Sequence, residues 1–183
     1  MNIMLKLLNE SDPFLKKSCP TFDFENPIVN SNQINESVMD YLKNITDEMH
    51  DIMIENNGIG LAAPQVNLDL RLFIMYIEDE QIICVNPKIE SQSLEFDIDM
   101  EGCLSFPELY LRVKRPSSIN VSYQHIDGTK LTRTMTGIMA RCFQHELDHL
   151  NGITFDTVVG DLSLKMAKSK RQKRMKKLSR KGI

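Results

Sequence analysis

The spacing of apolar and polar positions predicts three helices. In residues 35–55 apolar side chains recur every three or four positions, as in an amphipathic helix: Val38, Leu42, Ile45, Met49, Ile52 and Met53. Asn56-Asn57-Gly58 follows, and these residues tolerate the left-handed turn that ends many helices. A second helix is predicted to begin at Thr136-Gly137 and to end near Gly152, and a third, basic helix to cover about residues 162–179.

The chain between the first two helices has the pattern of strands. Residues 71–78 and 81–85 are β-rich runs separated by a polar turn, which predicts a hairpin, and strand-like sequence continues through 93–98. Residues 118–126 and 130–136 flank Asp127-Gly128, a dipeptide that favours tight hairpin turns. Residues 58–65 are small and predict a loop. We therefore expect an α+β fold, with antiparallel hairpins around a central helix, an N-terminal amphipathic helix and a basic C-terminal helix.

Length and charge divide the chain into a body and a basic C-terminal end. A chain of 183 residues fits one domain, with its body at 1–164 and a basic helix or tail of the same domain at 165–183. Residues 165–183 hold ten Lys or Arg and no acidic residue, whereas residues 1–164 hold twelve basic and twenty-five acidic residues. A basic end on an acidic body indicates an anionic partner, such as nucleic acid or the ribosome, or else a solvated terminus.

Other features of the sequence indicate the compartment. No apolar run is long enough to cross a bilayer, and the N-terminus has no clear signal-peptide pattern. We therefore expect a cytoplasmic protein without a membrane partner, and we expect a monomer. Its four cysteines are expected to be thiols or metal ligands rather than disulfides.

The second predicted helix carries His145-Glu146-Leu-Asp-His149. Histidines four positions apart lie on the same face of a helix, so both can bind one metal ion. A glutamate between them can accept and donate protons on a water molecule at that ion. Isolated histidines are usually core or capping residues, but two at this spacing around a glutamate favour a metal site.

The sequence leaves the third ligand open. A catalytic metal usually has three protein ligands, and no Glu or His follows His149. Asp156 and Asp161 are the downstream carboxylates, and Cys103 is a soft donor upstream. A thiolate would donate strongly to a metal, although a lone cysteine is more often a small buried residue.

Three segments together resemble the peptide deformylase family, in its shorter bacterial class with a C-terminal helix. They are Gly58-Ile-Gly-Leu-Ala-Ala-Pro-Gln65, Glu101-Gly-Cys-Leu-Ser105 and Gln144-His-Glu-Leu-Asp-His149. The resemblance covers about residues 5–160. It implies removal of the formyl group from N-formylmethionyl nascent peptides with release of formate. Tyr110 and Arg141 depart from the pattern common in the family.

The resemblance also implies roles for individual residues. It makes Cys103, His145 and His149 the metal ligands, and Glu146 the general acid and base. It places the Gln65 side-chain amide and the Leu104 backbone N–H around the formyl oxygen. The peptide backbone would bind to Ile59, Gly60 and Gly102, as an added strand does. We expect the wall around the methionine side chain to be formed by Ile59, Ile138, Cys142 and the stem of Glu101.

The donor set leaves several metals open, because imidazole and thiolate suit zinc, nickel and ferrous iron. The family resemblance favours Fe2+ in the cell, with Zn2+ or Ni2+ in the purified protein. It also suggests that the basic C-terminal helix binds the ribosome near the peptide exit. Two alternatives are a zinc endopeptidase and a non-catalytic, metal-stabilised RNA or ribosome binder.

Overall fold

The structure is a computed structural model that describes residues 5–34 and 37–179. Its helices are α1 (Val38–Glu55), α2 (Gly137–Leu150) and α3 (Asp161–Ser179). Its strands are β1 (Ile28–Val29), β2 (Asn32–Gln33), β3 (Gly60–Ala62), β4 (Leu72–Ile77), β5 (Glu80–Gln92), β6 (Phe96–Cys103), β7 (Phe106–Pro116), β8 (Ser118–Gln124) and β9 (Lys130–Thr136). The predicted helix start at residues 35 and 36, and residues 180–183 of the predicted tail, lie outside the described residues.

The strands form antiparallel sheets. The largest has the order β3-β4-β5-β8-β9, while β6 pairs with β7 and β1 pairs with β2. Both predicted hairpins are present, because β4 pairs with β5 and β8 pairs with β9. The α+β prediction is therefore confirmed. None of the described helices combines the length and the apolar composition needed to cross a membrane.

The two amphipathic helices cover the two faces of the large sheet. Phe73 and Met75 of β4 pack in one apolar cluster with Phe143 of α2. Leu72 and Ile74, which alternate with them, pack in a second cluster with residues of α1. Because successive strand residues point to opposite faces, β4 is buried on both sides, which explains its continuous apolar sequence. The central position predicted for the motif helix follows from this packing.

A third apolar cluster joins the C-terminal helix to the β6–β7 pair. Phe106, Leu109 and Leu111 of β7 pack with Phe155, and Leu164 and Ala167 of α3 lie against this cluster. The basic helix is therefore attached to the domain by a short apolar side near its start.

Several sequence boundaries were wrong. Residues 58–65 are not simply a loop, because residues 60–62 form β3 and Ala63–Val66 form a 3-10 helix. The strand expected at 93–98 begins at Phe96 and continues to Cys103, and β7 was not predicted. Alternating apolar positions were harder to recognise here, because the outward side of β6 also carries apolar side chains, namely Phe96, Ile98 and Met100.

Candidate metal centre

The three predicted ligands meet at the end of β6 and on the inward face of α2. One donor atom from each of Cys103, His145 and His149 lies within 4.8 Å of the other two. The Cys103 Sγ atom is 3.2 Å from Nε2 of His149. In the described part of the chain no other group of three such side chains converges in this way, and neither Asp156 nor Asp161 joins the cluster. The cluster can therefore hold a metal ion with a thiolate and two imidazole ligands.

The pKa values of the two histidines are compatible with a cation bound between their rings and Cys103. Burial lowers the pKa of His149 well below its usual value, and the nearby His145 lowers it further. For His145 burial also lowers the pKa, but hydrogen bonds with Cys103 and Glu101 outweigh it and raise the pKa to about 10. A divalent metal would take the place of the proton on His145, because ligands bind a metal in their deprotonated form. The Nδ1 atom of His149 is buried and has no hydrogen-bond partner among the residues that the structure describes.

Glu101 orients His145 from behind. Its Oε2 lies 3.1 Å from Nδ1 of His145, which leaves the other ring nitrogen for the metal. Nε and Nη2 of Arg115 each donate to the Glu101 carboxylate at 3.0 Å, and Nη1 of Arg141 donates to it at 2.7 Å. Burial raises the pKa of Glu101, but its contacts with His145 and Arg115 outweigh that effect and lower the pKa to about 2. Glu101 is therefore a buried carboxylate that holds the His145 ring in place.

This network changes the interpretation of two residues. Glu101 was expected to offer its stem to the pocket wall, and it does line the cleft, but its carboxylate binds three neighbours. Arg141 lies at the same wall and is almost fully buried. Sequence reasoning missed Arg115, which comes from the unpredicted strand β7, and Asp148, which pairs with it at 2.6 Å. Asp148 lies inside the His145-Glu-Leu-Asp-His149 motif, and this position was the one feature of the sequence that could have pointed to it.

Glu146 lies at the junction of α2 and β3. It is 4% exposed, and within residues 5–34 and 37–179 its Oε2 atom has no hydrogen-bond partner. Burial raises the pKa of this carboxyl group to about 7. A Cβ atom on Gly60 would lie 2.5 Å from Oε1 of Glu146 and 2.7 Å from Sγ of Cys142, so a side chain cannot fit there. Glycine at position 60 therefore lets the β3 backbone pass beside Glu146.

Gln65 presents its amide to the cluster from the 3-10 helix. Its Oε1 accepts a hydrogen bond from the Ala62 N–H at 2.8 Å, which fixes the orientation of the amide. Its Nε2 lies 3.2 Å from Oγ of Ser105 and 3.5 Å from Sγ of Cys103. A buried donor is thus held beside the metal ligands. Ser105, which sequence reasoning did not single out, completes this contact.

One cleft of about 470 Å3 brings the predicted site residues together. It is lined by Gln65, Leu104, Cys103, His145 and Glu146, and by all six predicted substrate-binding residues, Ile59, Gly60, Glu101, Gly102, Ile138 and Cys142. His149 is fully buried behind these residues. The rim includes residues that sequence reasoning did not assign to the site, among them Met100 and Glu108.

An antiparallel α+β fold with a cysteine, two helical histidines and a buried glutamate defines a class of metal-site proteins suited to hydrolysis. The family model for polypeptide deformylase matches residues 4–163. The chain belongs to the polypeptide deformylase family. This confirms the family resemblance of the three motifs, and the relatives support neither the endopeptidase nor the non-catalytic binder.

Individual relatives agree with this assignment. The chain is 38% identical over 159 residues to peptide deformylase 1B, chloroplastic, of Oryza sativa, a match that covers 82% of this chain and 53% of that protein. It is 37% identical over 133 residues to peptide deformylase 2 of Gloeobacter violaceus, covering 69% of this chain and 71% of that one. The chain spans about half the length of the rice and tomato relatives that it matches.

Solved structures show the same fold. The peptide deformylase of Synechococcus elongatus, in complex with actinonin, superposes with a TM-score of 0.79 at 33% identity, covering 94% of this chain and 88% of that one. The enzyme of Thermotoga maritima superposes with a TM-score of 0.75 at 33% identity, covering 86% and 98% of the two chains.

Proposed function

We propose that this protein removes the formyl group from the N-terminal formylmethionine of nascent peptides and releases formate. One observation carries the proposal: Glu146, a buried carboxylate with an oxygen that no described residue hydrogen-bonds, lines the same cleft as Cys103 and His145 of the cluster. A proton-transferring group and a metal centre in one cleft are what amide hydrolysis requires. Membership of the polypeptide deformylase family supports the choice of a formyl amide.

Cys103, His145 and His149 would hold the metal, which we infer to be Fe2+ in the cell and Zn2+ or Ni2+ in some purified samples. Their mixed sulfur and nitrogen donors suit all three ions. When bound, the metal supplies a Lewis acid that makes water a nucleophile at neutral pH.

The remaining chemistry belongs to side chains of the cleft. Glu146 takes a proton from the attacking water and delivers it to the nitrogen that leaves as the C–N bond breaks. The Gln65 side-chain amide and the Leu104 backbone N–H donate hydrogen bonds to the formyl oxygen as negative charge develops on it. Burial of Gln65 and Glu146 supports these roles, because charges and dipoles interact more strongly away from water.

The peptide would bind between two strand edges. β3 is at the edge of the large sheet and β6 has a free edge in its pair, and both strands line the cleft. Ile59, Gly60 and Gly102 would pair with the peptide backbone as neighbouring strands do. The methionine side chain would lie among Ile138, Cys142 and the stem of Glu101.

A comparison of two peptides tests the proposal. The purified, metal-loaded protein is given formyl-Met-Ala-Ser and the same peptide with a free amine, and formate and new amines are measured. We expect one formate and one new amine per formylated peptide, and no cleavage of the other. Cleavage of an internal bond would favour the endopeptidase instead, and a lack of any reaction would favour a non-catalytic protein.

We further infer that the basic residues 165–183 bind the ribosome near the peptide exit. The exposed lysines on α3, which include Lys168, Lys173, Lys176 and Lys177, support this inference because they can meet RNA phosphates. A cytoplasmic location is part of the same proposal, and the four free cysteines of the structure suit a reducing compartment. A monomer stays a prediction.

A further inference from the structure

The C-terminal helix reaches the rim of the cleft through Arg174. Nη1 of Arg174 donates a hydrogen bond to Oε2 of Glu108 at 3.1 Å. The guanidinium carbon also lies 5.1 Å from the centre of the Tyr110 ring, within the range of a cation–π contact. Glu108 and Tyr110 both line the cleft. The C-terminal helix, which carries none of the predicted metal ligands, therefore contacts two residues of the rim.

Tyr110 connects this contact to the proposed peptide path. Tyr110 and Gly102 are cross-strand partners in the β6–β7 pair. A Cβ atom on Gly102 would lie only 3.0 Å from Cε1 of Tyr110, so the ring lies directly beside the Gly102 backbone. The position of the Tyr110 ring thus sets how much room a peptide has beside Gly102.

Glu108 has a backbone conformation that needs support. Its φ angle of 63° lies in the left-handed region, which residues other than glycine rarely adopt. Such a conformation persists where the surrounding structure holds it, and it is frequent at ligand sites. The ion pair with Arg174 is one contact that holds this part of the rim.

We propose that Arg174 is a positioning residue for the outer part of the peptide cleft. Through Tyr110 and Glu108 it shapes the place where residues after the N-terminal methionine bind. The inference rests on the proposed function and concerns how that function's longer substrates, chains that continue beyond a dipeptide, bind along the rim. An extended chain advances about 3.3 Å per residue, so a pentapeptide reaches about 10 Å further along the rim than a dipeptide.

The contact is suited to a role in binding rather than in folding. The side chains of Arg174 and Glu108 are 51% and 32% exposed, and ion pairs with this exposure add little to stability. Substitution of Arg174 should therefore leave the fold and the metal centre intact, so that a change in peptide binding can be measured separately.

The test compares peptide lengths. Formyl-Met-Ala and formyl-Met-Ala-Ser-Ala-Ala are assayed with the metal-loaded wild type, Arg174→Gln, Arg174→Lys and the control Lys173→Gln, which removes the same charge one position away. For Arg174→Gln we expect KM for the pentapeptide to rise about two- to fivefold, as loss of an exposed cation–π contact predicts. We expect its kcat, and both constants for the dipeptide, to stay at wild-type values. In Arg174→Lys the pentapeptide KM should return most of the way to the wild-type value, because the positive charge is retained.

Other results would overturn the inference. The inference is wrong if the pentapeptide KM of Arg174→Gln equals that of the wild type. It is also wrong if the dipeptide KM rises equally in Arg174→Gln, or if the pentapeptide KM rises equally in Lys173→Gln. These outcomes require a wild type that deformylates both peptides. A wild type without deformylase activity would instead refute the proposed function itself.

Discussion

At the scale of single residues, the cluster that could hold a metal includes one cysteine from outside the helical motif. His145 and His149 could be recognised from their spacing, because a helix brings positions four apart to one face. The sequence alone left Cys103, Asp156 and Asp161 as possible third ligands, because no periodicity relates β6 to α2. The fold favours Cys103, because it places Cys103 Sγ 3.2 Å from His149 Nε2 and brings neither aspartate into the described cluster.

Cys103→Ala should therefore lose the metal. Elemental analysis of the purified variant should show much less than one metal ion per chain, because two imidazoles remain from a three-ligand site. Cys84→Ala is the matched control, since Cys84 is a buried thiol in the sheet core and should keep the metal. Stoichiometric metal in Cys103→Ala would show that another residue, such as Asp156 or Asp161, is the third ligand.

At the scale of elements, the site is formed where α2, β3, β6 and β7 meet. The amphipathic helices and the two tight hairpins were predictable, because each has a periodic apolar face or a turn dipeptide. The β6–β7 pair was not, because its outward face carries exposed apolar side chains that obscure the alternation. The contacts of Glu101 with Arg115 and Arg141 depend on this pair, so they could not be read from the sequence either.

The close approach of β3 to α2 predicts a strong effect of Gly60→Ala. The added methyl group would meet Glu146 Oε1 and Cys142 Sγ, so we expect a loss of about 1–3 kcal/mol of stability. Displacement of Glu146 should also lower kcat about 100-fold. Thermal unfolding and formate release measure the two effects. Gly160→Ala is the control, because its added carbon would meet no described heavy atom within 4 Å apart from those of its chain neighbours. Equal thermal stability and equal kcat in the two variants would contradict this close packing of β3 against α2.

The network behind His145 predicts that Glu101→Gln is destabilising. The substitution removes the negative charge that Arg115 and Arg141 share at Glu101, and Arg115 keeps only its pair with Asp148. Breaking a buried pair in this way costs about 3–5 kcal/mol. Urea unfolding at constant metal content should show the loss. Glu80→Gln breaks an ion pair of similar geometry with Arg133 that is largely exposed, and it should change stability by less than about 1 kcal/mol. A Glu101→Gln protein as stable as Glu80→Gln would show that the network is not energetically important.

At the scale of the whole molecule, charge is divided between an acidic body and a basic end. The composition predicted this division, but not that α3 is attached by Leu164 and Ala167 to the cluster beside β7. Nor could the sequence show that Arg174 contacts the rim of the cleft, because that contact joins residues 66 positions apart. The basic helix thus carries both the lysines of the proposed RNA-binding surface and an arginine at the rim of the proposed peptide path.

Removal of exposed positive charge from α3 should weaken ribosome binding. A variant with Lys168, Lys173, Lys176 and Lys177 changed to Gln keeps the apolar side of the helix. Co-sedimentation at several salt concentrations gives the slope of the logarithm of the ribosome-binding constant against the logarithm of the salt concentration. If each lysine meets one phosphate, this slope should become shallower by about 3–4 in the variant. Activity on formyl-Met-Ala should be unchanged. Wild-type co-sedimentation by the variant, or binding that does not depend on salt, would rule out this surface.

Glu146→Gln tests the central claim most directly. The substitution keeps the size of the side chain but removes the group that transfers protons, and the three metal ligands remain. In one experiment on purified protein, metal content and formate release from formyl-Met-Ala-Ser are measured together. We predict a full complement of metal and a rate lowered about 100- to 10,000-fold. A metal-loaded Glu146→Gln protein that releases formate at nearly the wild-type rate would contradict the account.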